Sequence, residues 1–162
     1  MDKQETCEYL RAHGVDFELS EHAAAFNMAD LDSIELPYPD CEAKNLFIRD
    51  DKKRKYCLIT VKGDKRVDLK KFRKDHGFRP LCFASAEDLM NIMKLIPGAV
   101  TPLGLLNDEE RRVVWYVDKC FLGGIAGVHP NDNRATVWMR AEELIRVIKE
   151  HGNEVHMLDL DA

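Results

Sequence analysis

The sequence predicts a mixed α/β (α+β) fold in a single domain spanning residues 1–162, and three observations predict it. Short β-type runs come in pairs across tight turns, as Ala43–Ile48 and Tyr56–Val61 do across the charged segment Arg49–Lys55. Isolated helical segments with their own start and stop residues lie between the strands, without a regular strand–helix alternation. No internal repeat, low-complexity tract or linker divides the 162 residues, a length that one core can serve.

Taken in order, Asp2–His13 reads as a helix with Cys7 and Leu10 on one side and Gly14 as its stop. Val15–Leu19 alternates apolar and acidic residues, the period of a half-buried strand. Ser20–Asp32 predicts a turn and a short helix, and Pro37-Tyr38-Pro39-Asp40 interrupts regular structure. After the paired strands, Asp68 opens a basic helix through Lys74 that Gly77 ends. Leu81–Ala84 reads as a strand. Ser85 and Asp88 have the spacing of a capping box for a helix over Ala86–Leu95. Strands follow at Val113–Asp118, in the apolar run before His129, and at Ala135–Met139. A helix over Ala141–His151 stops at Gly152, and Val155–Leu158 closes the chain as a strand.

Composition narrows the functional classes. No apolar run approaches the roughly 20 residues that cross a bilayer, and the polar N-terminus does not resemble a secretory signal. The five cysteines are scattered without metal-ligand spacing, which suits a reducing, cytoplasmic setting and predicts small apolar core residues, with no metal and no cofactor. Net charge is −5, yet Arg49–Arg79 carries 13 Lys/Arg against 5 Asp/Glu while the remaining residues carry 11 against 24. Such asymmetry either makes a positive face for phosphates or is a solvated, lysine-rich surface. No nucleophile elbow, Walker loop, dinucleotide fingerprint or H-E-x-x-H is present.

Three features stand out. The apolar stretch Ile96–Leu105 contains two prolines and two glycines, so it is an irregular loop; Gly98 lets another molecule approach its backbone, and the loop amides either face an oxyanion or merely turn beneath the core. Lys44 sits in an otherwise apolar strand, where it snorkels or faces a cleft; Asn45 beside it points to the opposite face of a regular strand. His129, halted by Pro130, ends its run at a sheet rim, where it meets a substrate or caps a turn.

Together, Glu42–Asp50, the Gly-x-x-x-Pro run Gly98–Pro102 and Gly127–Asn133 resemble the YbaK/ProX aminoacyl-tRNA editing family, and within it the free-standing branch that deacylates Ala-tRNA(Pro). The resemblance implies a largely antiparallel curved sheet, a partial barrel with surrounding helices, forming one editing domain. It implies hydrolysis of the ester that joins a wrong amino acid to the 3′ end of tRNA(Pro). Lys44 matches the lysine that binds the terminal nucleotide, and Asn45 its polar neighbour. Gly98, Ala99, Val100, Thr101 and Pro102 match the loop that holds the ester carbonyl, and His129 a wall of the pocket. Met28, Leu31 and Asn133 join the expected substrate-binding residues. The implied partner is the acceptor end of tRNA(Pro), with assistance by prolyl-tRNA synthetase left open and no membrane involved. Alternatives are a cysteine- or serine-specific deacylase of the same family, a non-catalytic tRNA-binding or regulatory module, and a thiol-dependent enzyme.

Overall fold

The computed structural model describes residues 1–22, Tyr38, 41–63 and 65–160. Among the described residues, four helices, α1 (Lys3–Ala12), α2 (Leu69–His76), α3 (Ala86–Met93) and α4 (Ala141–His151), accompany eight strands: β1 (Phe17–Glu21), β2 (Ala43–Asp50), β3 (Tyr56–Lys62), β4 (Leu81–Phe83), β5 (Val113–Asp118), β6 (Ile125–Val128), β7 (Ala135–Arg140) and β8 (Val155–Leu158). The mixed fold is therefore as the sequence predicts. Four strand pairings are antiparallel; β3–β5 and β5–β8 are parallel. No helix among the described residues is long and apolar enough to cross a membrane.

The strands form two sheets, ordered β1-β7-β6 and β4-β2-β3-β5-β8, rather than a closed barrel. They meet at one seam, where the Gly127 N–H donates to the Cys41 carbonyl at 2.8 Å and Glu42 bridges Gly127. On this edge β2 meets β6 at Glu42 and β4 at Ile48–Asp50. On the side of β2 away from β3, no strand among the described residues pairs with Lys44–Leu46.

Helix ends follow the local signals. Asp2 and Glu5 make a reciprocal capping box on α1, Asp68 accepts from two amides of α2, and Gly77 and Gly152 end α2 and α4 with positive φ. Two boundaries differ from expectation. β1 starts two residues late because Val15 donates to the Leu10 carbonyl and belongs to the end of α1. The box at Ser85 is only half made: Ser85 accepts the Asp88 amide, but the Asp88 carboxylate lies near Arg49 and Lys53.

The central strand β3 explains its own composition. Tyr56 and Leu58 enter a large core with Trp115, Leu103, Met139, Leu144 and Ile148, while Cys57, Ile59 and Val61 enter a smaller core beneath Phe72 of α2. A strand buried on both faces reads as one apolar run. The cysteines divide: Cys7 and Cys57 are buried, whereas Cys82 and Cys120 are exposed, correcting their assignment to the core. Cys82 lies on an edge strand and Cys120 in the turn after β5, where little packs against either.

Gly127 is required by packing. A Cβ there would stand 2.3 Å from a ring carbon of Trp138, which is itself buried. Gly127→Ala should therefore lower stability by about 1–3 kcal/mol, the range for overpacking a filled core. A urea midpoint unchanged from the wild type would contradict this account of the seam.

Candidate functional site

At the seam lies a small hollow, with room for about one water molecule, lined by Glu42, Ala43 and Asn45 at the start of β2, by Gly127, Val128 and His129 from β6 and its end, and by Thr136 of β7. Asn45 belongs to this hollow and also to the loop beside it. Its Nδ2 donates to the Val100 carbonyl at 3.3 Å, and its Oδ1 accepts the Thr60 hydroxyl at 2.6 Å. Thr60 in turn accepts the indole N–H of Trp115 at 2.8 Å.

The loop is built as its residues require. Ile96–Ala99 is a turn closed by the Ala99 N–H on the Ile96 carbonyl at 3.1 Å, with Pro97 at the second position and Gly98 at φ +91° in the third. That is the residue pair a type II turn selects. Thr101, fully buried, caps a 3₁₀ turn over Pro102–Asn107 by accepting the Leu103 amide. Ala99, Thr101 and Pro102 are thus packed inward. Gly98 and Val100 are half-buried, and among the described residues their N–H groups donate to no protein acceptor.

His129 donates from Nδ1 to the Ala135 carbonyl at 2.8 Å. A carbonyl can only accept, so Nδ1 carries the proton and Nε2 of the neutral ring is an acceptor. Burial is the main influence on this imidazole and holds it below the ordinary histidine range; the Ala135 bond opposes that and His22, with ring centroids 6.3 Å apart, adds to it. His22 itself bonds Thr136 through Nε2 at 2.8 Å.

The remaining expected site residues divide. Lys44 pairs with Val61 in an unbroken ladder, so alternation gives it the parity of Leu46 and Ile48, away from Asn45 and Val100. It does not line the hollow. Asn133 is buried with an unpartnered Nδ2 and also stands outside the lining residues. Met28 and Leu31 lie outside the described residues. Thr60, Thr136 and Glu42 were not singled out from sequence. A threonine inside Tyr56–Val61, otherwise apolar, was the available signal for Thr60.

The mixed α/β fold is that of an aminoacyl-tRNA editing hydrolase, and the chain belongs to that family: the model of the aminoacyl-tRNA editing domain matches residues 22–147. Over 147 residues, 90% of each chain, it is 37% identical to the prolyl-tRNA editing protein ProX of Acetoanaerobium sticklandii. Over 157 residues it is 31% identical to prolyl-tRNA synthetase associated domain-containing protein 1 of Bos taurus, covering 94% of this chain and 91% of that one. A crystal structure described as a candidate trans-editing enzyme for prolyl tRNA synthetase shares the fold, with a TM-score of 0.71 at 21% identity over 100% of this chain and 98% of that one.

The His129 geometry has a measurable sign. The unfolded chain takes up this proton near pH 6.5 and the folded protein only at lower pH, so stability falls as pH drops through that window and levels off below the folded pKa. His129→Gln keeps an N–H donor without the titration. Urea midpoints from about pH 7 to pH 5 should fall more steeply for the wild type than for this variant. Parallel curves would place the ring in an unperturbed setting.

Proposed function

We propose that this chain is a free-standing, cytoplasmic deacylase that removes a wrong amino acid from tRNA(Pro), with alanine as the preferred group. The whole of residues 1–162 acts as one editing domain on this reading. The observation that carries it is Asn45, which forms part of the hollow and holds the Gly98–Val100 loop through the Val100 carbonyl. The names of the ProX and synthetase-associated relatives support the choice of tRNA(Pro).

The chemistry asks little of side chains. An aminoacyl ester is already activated. Water attacks its carbonyl carbon, the tetrahedral oxyanion collapses, the bond to the ribose oxygen breaks, and that oxygen leaves as a hydroxyl with the proton from water. The ribose hydroxyl next to the ester orients the water. Of the loop residues, Pro102 has no N–H, the Ala99 N–H closes the turn and Thr101 is fully buried, so the half-buried Gly98 and Val100 supply the oxyanion donors. Losing one such donor typically costs about 10²–10³ in turnover.

Neutral His129, fixed by Ala135, forms a wall that excludes larger aminoacyl groups. Lys44, on the other face of β2 from Asn45, holds the backbone of the terminal nucleotide outside the hollow. The acceptor stem follows the basic stretch, where Lys70, Lys71 and Lys74 of α2 are exposed. That stretch passes next to the hollow: Lys62 pairs with Ala43, and the Gly63 amide donates to the Glu42 carbonyl. Prolyl-tRNA synthetase is the natural second partner.

Incubation with Ala-, Cys-, Ser- and Pro-tRNA(Pro) tests the reading. Ala-tRNA(Pro) should be hydrolysed fastest and Pro-tRNA(Pro) spared. Lys44→Ala should slow the reaction about ten- to hundredfold, the equivalent of a hydrogen bond to a charged group. Salt-sensitive tRNA binding with every ester intact would instead identify a binding module.

A further inference from the structure

We propose that Thr60 is a positioning residue of the editing reaction, setting the Gly98–Val100 loop through Asn45 without touching substrate. The proposal rests on the reading that this loop faces the ester carbonyl. Three hydrogen bonds carry it: Trp115 Nε1 to Thr60 at 2.8 Å, Thr60 to Asn45 at 2.6 Å, and Asn45 to the Val100 carbonyl at 3.3 Å.

Their direction is fixed from both ends. An indole nitrogen only donates, so the Thr60 oxygen must accept from Trp115 and its single proton is free for Asn45. A backbone carbonyl only accepts, so Asn45 must present Nδ2 to Val100 and Oδ1 to Thr60. The two requirements agree on one amide orientation. Trp115 is fully buried and Thr60 nearly so, so water does not compete for these groups. With Thr60 removed, the Asn45 amide loses the bond that selects this orientation, and the Val100 carbonyl loses an anchored donor. The N–H of Val100 lies on the other side of the same residue, one peptide plane away. Small rotations of that segment therefore move an oxyanion donor directly.

The test compares wild type, Thr60→Val and Thr60→Ser in single- and multiple-turnover deacylation of Ala-tRNA(Pro). Valine keeps the shape and β-branching but not the hydroxyl. Thr60→Val should lower kcat about tenfold or more with KM within about twofold, and serine should restore most of the loss, since a displaced oxyanion donor acts on the transition state. In nitrogen–proton spectra of the protein alone, the Trp115 indole and Asn45 amide signals should shift in Thr60→Val and return in Thr60→Ser. Full activity of Thr60→Val alongside an active wild type, or a loss that serine does not rescue, would overturn the positioning role. Should the valine variant fail to fold, Thr60→Ala replaces it with the same expected direction. A wild type that deacylates none of the four tRNAs would fail the functional reading instead, and the spectra would still report whether the hydrogen bonds exist.

Discussion

A loop with prolines at both ends cannot hold itself in place by a ladder of its own bonds. Pro97 and Pro102 lack amide hydrogens, Ala99 spends its own on the turn, and Thr101 turns inward to cap the next 3₁₀ segment. Beyond the packing of Ala99 and Val100 against the core, the loop is anchored at the carbonyl of Val100, which the Asn45 amide reaches. Asn45 is held by Thr60, and Thr60 by an indole in the interior of the largest core. Leaving a buried donor or acceptor unmatched costs about 1–3 kcal/mol, so each member of the chain holds the next. The position of the loop is thus a consequence of how β2, β3 and β5 stack side by side.

β2 changes its neighbour along its length, from β6 near Glu42 to β4 from Ile48 onward. Between those two pairings, Asn45 reaches the loop with its side chain, by its bond to the Val100 carbonyl. The seam depends on Gly127, whose missing side chain lets Trp138 cover the strand that begins it. Trp138 also donates to Ser20 on β1, which ties β7 to β1 within the small sheet.

Most of the fold was legible because its signals are local. Asp2 with Glu5, Asp68 with Gly77, and Gly152 mark helix ends that depend on neighbouring residues only. The site was legible in part. Asn45, the loop and His129 stood out as polar or conformationally special residues in apolar surroundings, and the structure brings Asn45 together with each. Lys44 could be named from sequence, but its side of the sheet depends on the pairing with Val61, a long-range fact. Thr60 and Thr136 were harder, since threonine is ordinary in strands and its importance lies in the Trp115 and His22 groups opposite. Cys82 and Cys120 show the same limit in reverse. A cysteine is apolar enough for a core, and only the topology decides that these two lie at an edge and in a turn.

On the proposed function, rate and selectivity belong to different elements. The oxyanion donors sit on the loop and answer to Asn45 and Thr60, whereas the wall that limits the aminoacyl group belongs to His129, fixed by Ala135 on the other sheet. Selection against a larger amino acid is then steric, and such selection yields only about 1–3 kcal/mol per methylene. A neutral imidazole suits that task, because a charged ring would demand a counter-ion or water inside a small hollow. Burial keeps the ring neutral, and the Ala135 carbonyl keeps it in one tautomer and one orientation. The two sheets join at the Glu42–Gly127 seam, which sets the distance between wall and loop. The width of the accepted substrate is accordingly a property of how the sheets join, and the speed of its hydrolysis a property of how the loop is held.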